Sequence, residues 1–247
     1  MNRIIGSKIE RIHELGSSNN YAATQLLTKR LPEGIVFVAD SQVDGRGQAL
    51  NKWESTPNKN LTFSILLYPE FIDIMRQFEI SKVISLGVVD FLKDLTDHVS
   101  IKWPNDIYIE NCKVAGILIE NSIRIDKISS CIVGIGLNIN QQEFISDAPN
   151  PVSLTQITGK IYDLKASLSD LCLKIDARYD KLRQRDYRQI DADYTELLYQ
   201  RGSWSSYSDE NSDFEGQILD VDHIGRLMIE TRAGQVNKYH FKEVVFK

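Results

Sequence analysis

The sequence predicts an α+β protein: a mixed, largely antiparallel sheet packed with helices, followed by a small all-β unit. Three observations carry this. Extended apolar segments near 99–103, 106–110, 113–121 and 128–139 follow one another with gaps too short for parallel crossovers. Helical periodicity fills two long stretches, Met75–Asp97 and Lys165–Tyr199. At Arg201-Gly202 the texture changes to short extended runs separated by tight-turn signals. These features divide the chain into residues 1–200 and 201–247.

Taken in order, Tyr21–Arg30 reads as a helix, with Ser18 or Asn19 suited to cap its N-terminus. Gly34–Ala39 is a short apolar strand, and Asn60–Tyr68 a second one rich in β-formers. In Met75–Asp97, residues Ile80, Val83, Ile84, Val88, Phe91, Leu92 and Leu95 share a broad helical face. The four closely spaced strands follow, and Ser153–Gly159 is a short helix or turn. In Lys165–Tyr199, Leu168, Leu171, Ile175, Tyr179 and Leu182 recur at helical spacing, with a break near Arg185–Tyr187. The last strands are Glu215–Val221, Leu227–Thr231 and Asn237–Phe241, with turns at His223-Ile224-Gly225 and Arg232-Ala233-Gly234.

Composition narrows the function. A chain of 247 residues with 42% hydrophobic and 26% charged content suits a soluble globular protein. The formal net charge is −5 and no Lys/Arg run stands out, which argues against nucleic acid or an anionic membrane as partner. The N-terminus lacks a long apolar h-region, and no run of about 18 apolar residues occurs. Cys112, Cys131 and Cys172 are scattered, as expected of free thiols in a cytoplasmic protein. Residues 202–247 hold eight Asp/Glu against five Lys/Arg, which suits docking or scaffolding better than anion binding.

Four blocks carry chemistry. Ser17-Ser18-Asn19 groups short hydroxyl and amide side chains, which suit a ring bearing both donors and acceptors; a helix cap is the plainer reading. Asp44–Trp53 contains Gly45-Arg46-Gly47-Gln48, where glycines admit an anion to the backbone and Arg supplies a forked cation; alone it would be a surface loop. Ile101–Glu120 brings Lys102, Trp103, Pro104, Asn105 and Asp106 to one strand end and Lys113 and Gly116 to the next strand. Two lysines, an amide and a carboxylate so placed can hold a metal–nucleotide and a developing negative charge. Asn105-Asp106 is also ordinary turn chemistry, Trp103 and Pro104 suit packing, and Glu120 reads as a strand-end charge. Gly134-Ile135-Gly136-Leu137-Asn138 is a glycine-bearing strand end and not a dinucleotide fingerprint.

In this order and spacing the four blocks resemble those of the biotin protein ligases, in a short form without an N-terminal DNA-binding domain. The resemblance implies a class II synthetase-like catalytic domain closed by a small Src-homology-3-type β-barrel. It implies that biotin is activated with ATP and Mg2+ as biotinyl-AMP, then transferred to a specific lysine of a biotin carboxyl carrier protein. Arg46 and Lys113 then face the biotin carboxylate and the reacting phosphate, and Asp106 acts through the metal or the incoming lysine, with Asn105 beside it. Ser17, Ser18, Asn19 and Gln42 join the binding set, as do Gly45, Gly47, Gln48, Lys102, Gly116 and Gly136. Trp53 covers the adenylate and Asn138 faces the adenine. Two departures bear on adenylate retention: Gln48 stands where many members have Arg, and Leu50 where many have Gly. A neutral amide holds a phosphate less firmly than a guanidinium. Only 16 residues precede Ser17, too few for a helix-turn-helix module, so a ligase that does not bind DNA is expected. A homodimer is compatible with all of this. The alternatives are a lipoate or octanoate ligase or transferase of the same fold, and a non-catalytic biotin-binding protein. The glycine–arginine loop and the Lys102–Asp106 block favour biotin, and intact Arg46 and Lys113 favour catalysis.

Overall fold

The computed structural model describes residues 3–48, 51–146 and 148–247; Ala49 and Leu50 lie outside them. A seven-stranded sheet is built from β1 (Ile9–Leu15), β2 (Val36–Gln42), β3 (Leu61–Leu67), β4 (Val99–Lys102), β5 (Asp106–Ile109), β6 (Cys112–Arg124) and β7 (Lys127–Leu137). Its order is β1-β2-β3-β7-β6-β5-β4, with β1 parallel to β2 and every other pairing antiparallel. The helices are α1 (Ser18–Thr28), α2 (Phe78–Lys93), α3 (Leu154–Thr158), α4 (Leu164–Arg183) and α5 (Tyr187–Glu196).

The two faces of the sheet are covered unequally, because strand side chains alternate. Val36 and Val38 of β2, Phe63, Ile65 and Leu67 of β3, and Val133 and Ile135 of β7 enter the main core with α2 and α4. The alternate residues Ile35, Phe37, Leu66 and Ile132 meet α1 in a smaller cluster around Ala22 and Leu31. Central β3 is therefore buried throughout. The single short helix α1 leaves the β6 end of its face uncovered, and the site described below opens there.

Helix α1 corrects the expected cap. Its N-cap is Ser17, in extended backbone and without a side-chain capping bond, while Ser18 and Asn19 lie buried in the first turn. Strand β1 was not expected from the sequence. Its apolar residues Ile9, Ile12 and Leu15 recur every third position instead of alternating. The break between α4 and α5 falls at the expected place, with Arg185 in left-handed backbone at φ 58°.

The C-terminal unit is a five-stranded antiparallel sheet of β8 (Trp204–Ser208), β9 (Asp213–Val221), β10 (Leu227–Thr231), β11 (Val236–Tyr239) and β12 (Val245–Phe246). Its order is β11-β10-β9-β8-β12, so the unit expected as a small barrel has two ends, with no pairing that closes it among the described residues. The three cysteines are free. No helix among the described residues is long and apolar enough to cross a membrane.

Candidate active site

A cavity of about 260 Å³ opens on the α1 face of the large sheet. At one end stand Ser17, Ser18, Asn19 and Gln42. The Ser18 N–H donates to Gln42 Oε1 at 2.7 Å. Ser64, buried in β3, has its Oγ 2.8 Å from Ser18 Oγ and donates to Asn19 Oδ1 at 2.6 Å. Asn19 Nδ2 donates to Glu120 Oε2 at 2.7 Å. The first turn of α1 is thus a hydrogen-bonded set with its polar atoms turned to the cavity and away from the helix end. Ser64 escaped the sequence reading; its only signal, a hydroxyl inside an apolar strand, is one it shares with Thr62.

The floor is a row of small residues. Gly136 of β7 lies opposite Gly116 of β6, which lies opposite Asp106 of β5. A Cβ at Gly136 would overlap the Trp53 indole, one at Gly116 would come within 2.9 Å of it, and one at Gly134 would overlap the Asn19 amide. The alternating glycines therefore make room for a side chain from the loop and a side chain from α1.

Trp53 ends the loop that begins at Asp44. Its N–H donates to the Gly45 carbonyl at 2.8 Å, and the Gly47 N–H donates to the Asn51 carbonyl at 2.7 Å. Arg46 donates to Asn20 Oδ1 at 2.6 Å and to Glu120 Oε1 at 2.9 Å. Gln48 Oε1 and Trp53 Nε1 are buried and have no partner among the described residues. Such atoms beside a cavity fit a polar ligand.

Lys113 reaches the same cavity through a bulge. The β5–β6 register shifts between Ile107 and Tyr108, so that Val114 and Ala115 both enter the main core. The alternation is re-phased, and Lys113 shares the cavity lining with Gly116, three residues on. Lys113 Nζ lies 2.8 Å from Asp106 Oδ1 and 5.7 Å from the centre of the Trp53 ring. Asn105 joins the strand pair by donating from Nδ2 to the Ile117 carbonyl at 2.7 Å. The peptide between Trp103 and Pro104 is cis.

Among the described residues no three His, Cys, Asp or Glu side chains gather into a metal-holding group. Magnesium with a nucleotide needs only one or two carboxylates, since phosphates and water supply the rest. Asp106, the acidic residue among those lining the cavity, fits that requirement.

Three residues expected in the binding set do not line this cavity. Gly45 sits at the loop base, pressed against the Trp53 backbone. Lys102 turns to Tyr108, 3.3 Å from its hydroxyl, with its Nζ 5.0 Å from the ring centres of Tyr108 and Phe246. Burial there holds the Lys102 ammonium below its usual pKa, opposed by the charge of Asp106 and assisted by that of Lys113. Asn138 is 2% exposed, and its Nδ2 donates to the Val152 carbonyl at 3.1 Å. Conversely, Phe241, Lys242, Val244 and Phe246 of the C-terminal unit line the cavity, although nothing in the sequence marked them. Lys52 and Asn51 line it as well.

The chain is similar to proteins of known family. A family model described as the biotin/lipoate A/B protein ligase family matches residues 13–138. The sequence is 31% identical over 238 residues to the bifunctional ligase/repressor BirA of Bacillus subtilis (strain 168), a match covering 90% of this chain and 69% of that protein. It is 25% identical over 228 residues to a biotin–[acetyl-CoA-carboxylase] ligase of Mycobacterium tuberculosis, covering 90% of this chain and 83% of that one. Among solved structures, the biotin protein ligase from Aquifex aeolicus in complex with biotin and ATP superposes with a TM-score of 0.81 at 27% identity, covering 98% of this chain and 99% of that chain.

Proposed function

This chain belongs to the biotin/lipoate A/B protein ligase family, and we propose that it acts there as an ATP-dependent ligase that activates biotin and transfers it to a lysine of a biotin carboxyl carrier protein. One observation carries the reading. A single cavity has a hydroxyl–amide cluster at one end and Arg46 and Lys113 beyond a glycine floor. A ureido ring needs the first, and a carboxylate meeting a phosphate needs the second.

The chemistry follows from charge. A biotin carboxylate oxygen attacks the α-phosphorus of ATP, and the bond to pyrophosphate breaks. Two anions must approach, so cations have to offset their repulsion. Arg46 and Lys113 supply two, and Mg2+ held by Asp106 would neutralise part of the triphosphate. In the second step the carrier lysine nitrogen attacks the acyl carbon of biotinyl-AMP, AMP leaves, and the ammonium proton is lost. Asp106, already 2.8 Å from Lys113, is the carboxylate available to orient that amine. Residues 1–200 hold both substrates in this reading, and residues 201–247 wall the cavity. In this reading the enzyme is cytoplasmic and works without a nucleic-acid or membrane partner, and a homodimer is compatible with it.

The test is biotin-dependent exchange of pyrophosphate into ATP, with lipoate as control. Biotin should drive exchange. Lipoate, lacking the ureido donors and acceptors, should be rejected by roughly 10⁴-fold. Equal exchange with both acids would overturn the biotin assignment, and binding without exchange would make the chain a biotin-binding protein.

A further inference from the structure

Glu120 lies on β6, opposite Ile132 and four residues beyond Gly116. Its two carboxylate oxygens are divided: Oε1 accepts from Arg46 Nη2 at 2.9 Å, and Oε2 accepts from Asn19 Nδ2 at 2.7 Å. Asn19 in turn accepts from Ser64, which contacts Ser18. A continuous run of polar contacts, Ser18–Ser64–Asn19–Glu120–Arg46, therefore joins the two ends of the cavity.

Arg46 and Asn19 line the cavity, and Glu120 is bonded to both. Arg46 is 41% and Glu120 38% exposed, so separating them costs little. The partner that Arg46 holds is chemically the group it would meet on an acid substrate, a carboxylate. Carboxylate-to-carboxylate exchange keeps the guanidinium paired throughout.

We propose that Glu120 is a stand-in carboxylate: a positioning residue that holds Arg46 over the cavity before substrate arrives, yields it to the substrate's own carboxylate, and ties that exchange to Asn19 at the ring end. This rests on the biotin-ligase reading above. It has a specific consequence. Glu120 competes with a ligand's anionic end and supports its ring end. An anionic ligand must displace Glu120 from Arg46, whereas a neutral ligand with the same rings need not.

Calorimetric Kd values for biotin and for the neutral biotinamide separate these effects, in the parent, Glu120→Gln, Arg46→Gln and the double variant. The amide of Gln keeps the shape and removes the charge. In Glu120→Gln the preference for biotin over biotinamide should rise about two- to fivefold, the range of an exposed ion pair. In the Arg46→Gln background the same change should leave the preference unaltered, since no latch remains. A preference that does not rise, or a rise of equal size without Arg46, overturns the proposal; the second result would mean simple charge repulsion. A parent that binds neither ligand would instead refute the biotin reading itself, and leave Glu120 without this role.

Discussion

At the residue scale, Lys113 shows how a side chain reaches a site its alternation would deny it. The bulge in β6 turns both Val114 and Ala115 inward and brings Lys113 beside Gly116. Its ammonium is set between Asp106 and the Trp53 ring. Lys113→Ala should lower pyrophosphate exchange by about 10²–10³-fold, as loss of other preorganised charge-stabilising groups does. Its thermal midpoint should stay near the parent's, because the residue contributes little to the core; parental exchange kinetics would remove it from the reaction. Gly136 makes a complementary prediction. A methyl there overlaps the Trp53 indole, so the ring has to shift to admit it. Gly136→Ala should fold, shift Trp53 emission toward that of a solvated indole, and weaken biotin binding on the order of 10–10²-fold. Unchanged emission and affinity would show that the ring does not rest on the glycine floor.

Motif residues such as Arg46, Asn105, Asp106, Lys113 and Gly116 stood out by the order and spacing of their blocks, not by any one of them alone, and all five line one cavity. Ser64 and Glu120 did not, since a Ser in a strand and an acid near a strand end are commonplace until Asn19 is seen between them. Lys102 does not line the cavity, for a related reason. Its neighbours in sequence are Trp103 and Asp106, but its neighbours in space include Tyr199 and Phe246 from remote segments.

At the element scale, legibility followed periodicity. α2 and α4 have apolar residues at helical spacing and were found. β1 and β8 have theirs three apart, Ile9, Ile12 and Leu15 in one and Trp204 and Tyr207 in the other, and neither offers the alternation of a half-buried strand. What binds the helices together was invisible in sequence. Arg178 of α4 donates to Asp90 of α2, at 2.5 and 2.8 Å, and to Asp193 of α5. Burial raises the Asp193 pKa, but the bonds from Arg178 and Gln189 outweigh it and hold the carboxyl below its usual range. A depressed carboxylate stabilises the fold above its unfolded pKa and ceases to do so as pH falls through the folded value. Arg178→Ala, which leaves two partly buried carboxylates unpaired, should cost about 3 kcal/mol at pH 7. The deficit should shrink as pH falls below the ordinary Asp value of about 3.9 and through the depressed value of Asp193. Urea unfolding across that range checks it, and a deficit independent of pH would point to lost packing instead of lost charge pairing.

At the scale of the whole molecule, one turn of the C-terminal unit meets both Trp103 and α2. The turn at His223-Ile224-Gly225 was legible as a turn, but not as a joint. The Trp103 Nε1–H donates to the Gly225 carbonyl at 3.0 Å, and Trp103 meets Phe241 edge-on at 6.4 Å. Gly225 has φ +93°, and a Cβ there would stand 2.6 Å from the Phe78 ring. The joint thus needs glycine twice, for its backbone and for its closeness to α2. It also links the C-terminal unit to the chemistry, because Phe241, Lys242, Val244 and Phe246 wall the cavity that Lys113 enters. Gly225→Ala should therefore unseat the wall before it unfolds either sheet. Left-handed strain and the clash with Phe78 together cost about 2–3 kcal/mol, a fall of roughly 5–10 °C in thermal midpoint for a chain of this size. Assayed well below that midpoint, the variant should still show a raised KM for ATP or biotin, since one wall of the site has shifted. Parental KM values in a destabilised but folded variant would mean that the turn only stabilises the C-terminal sheet and does not position the cavity wall.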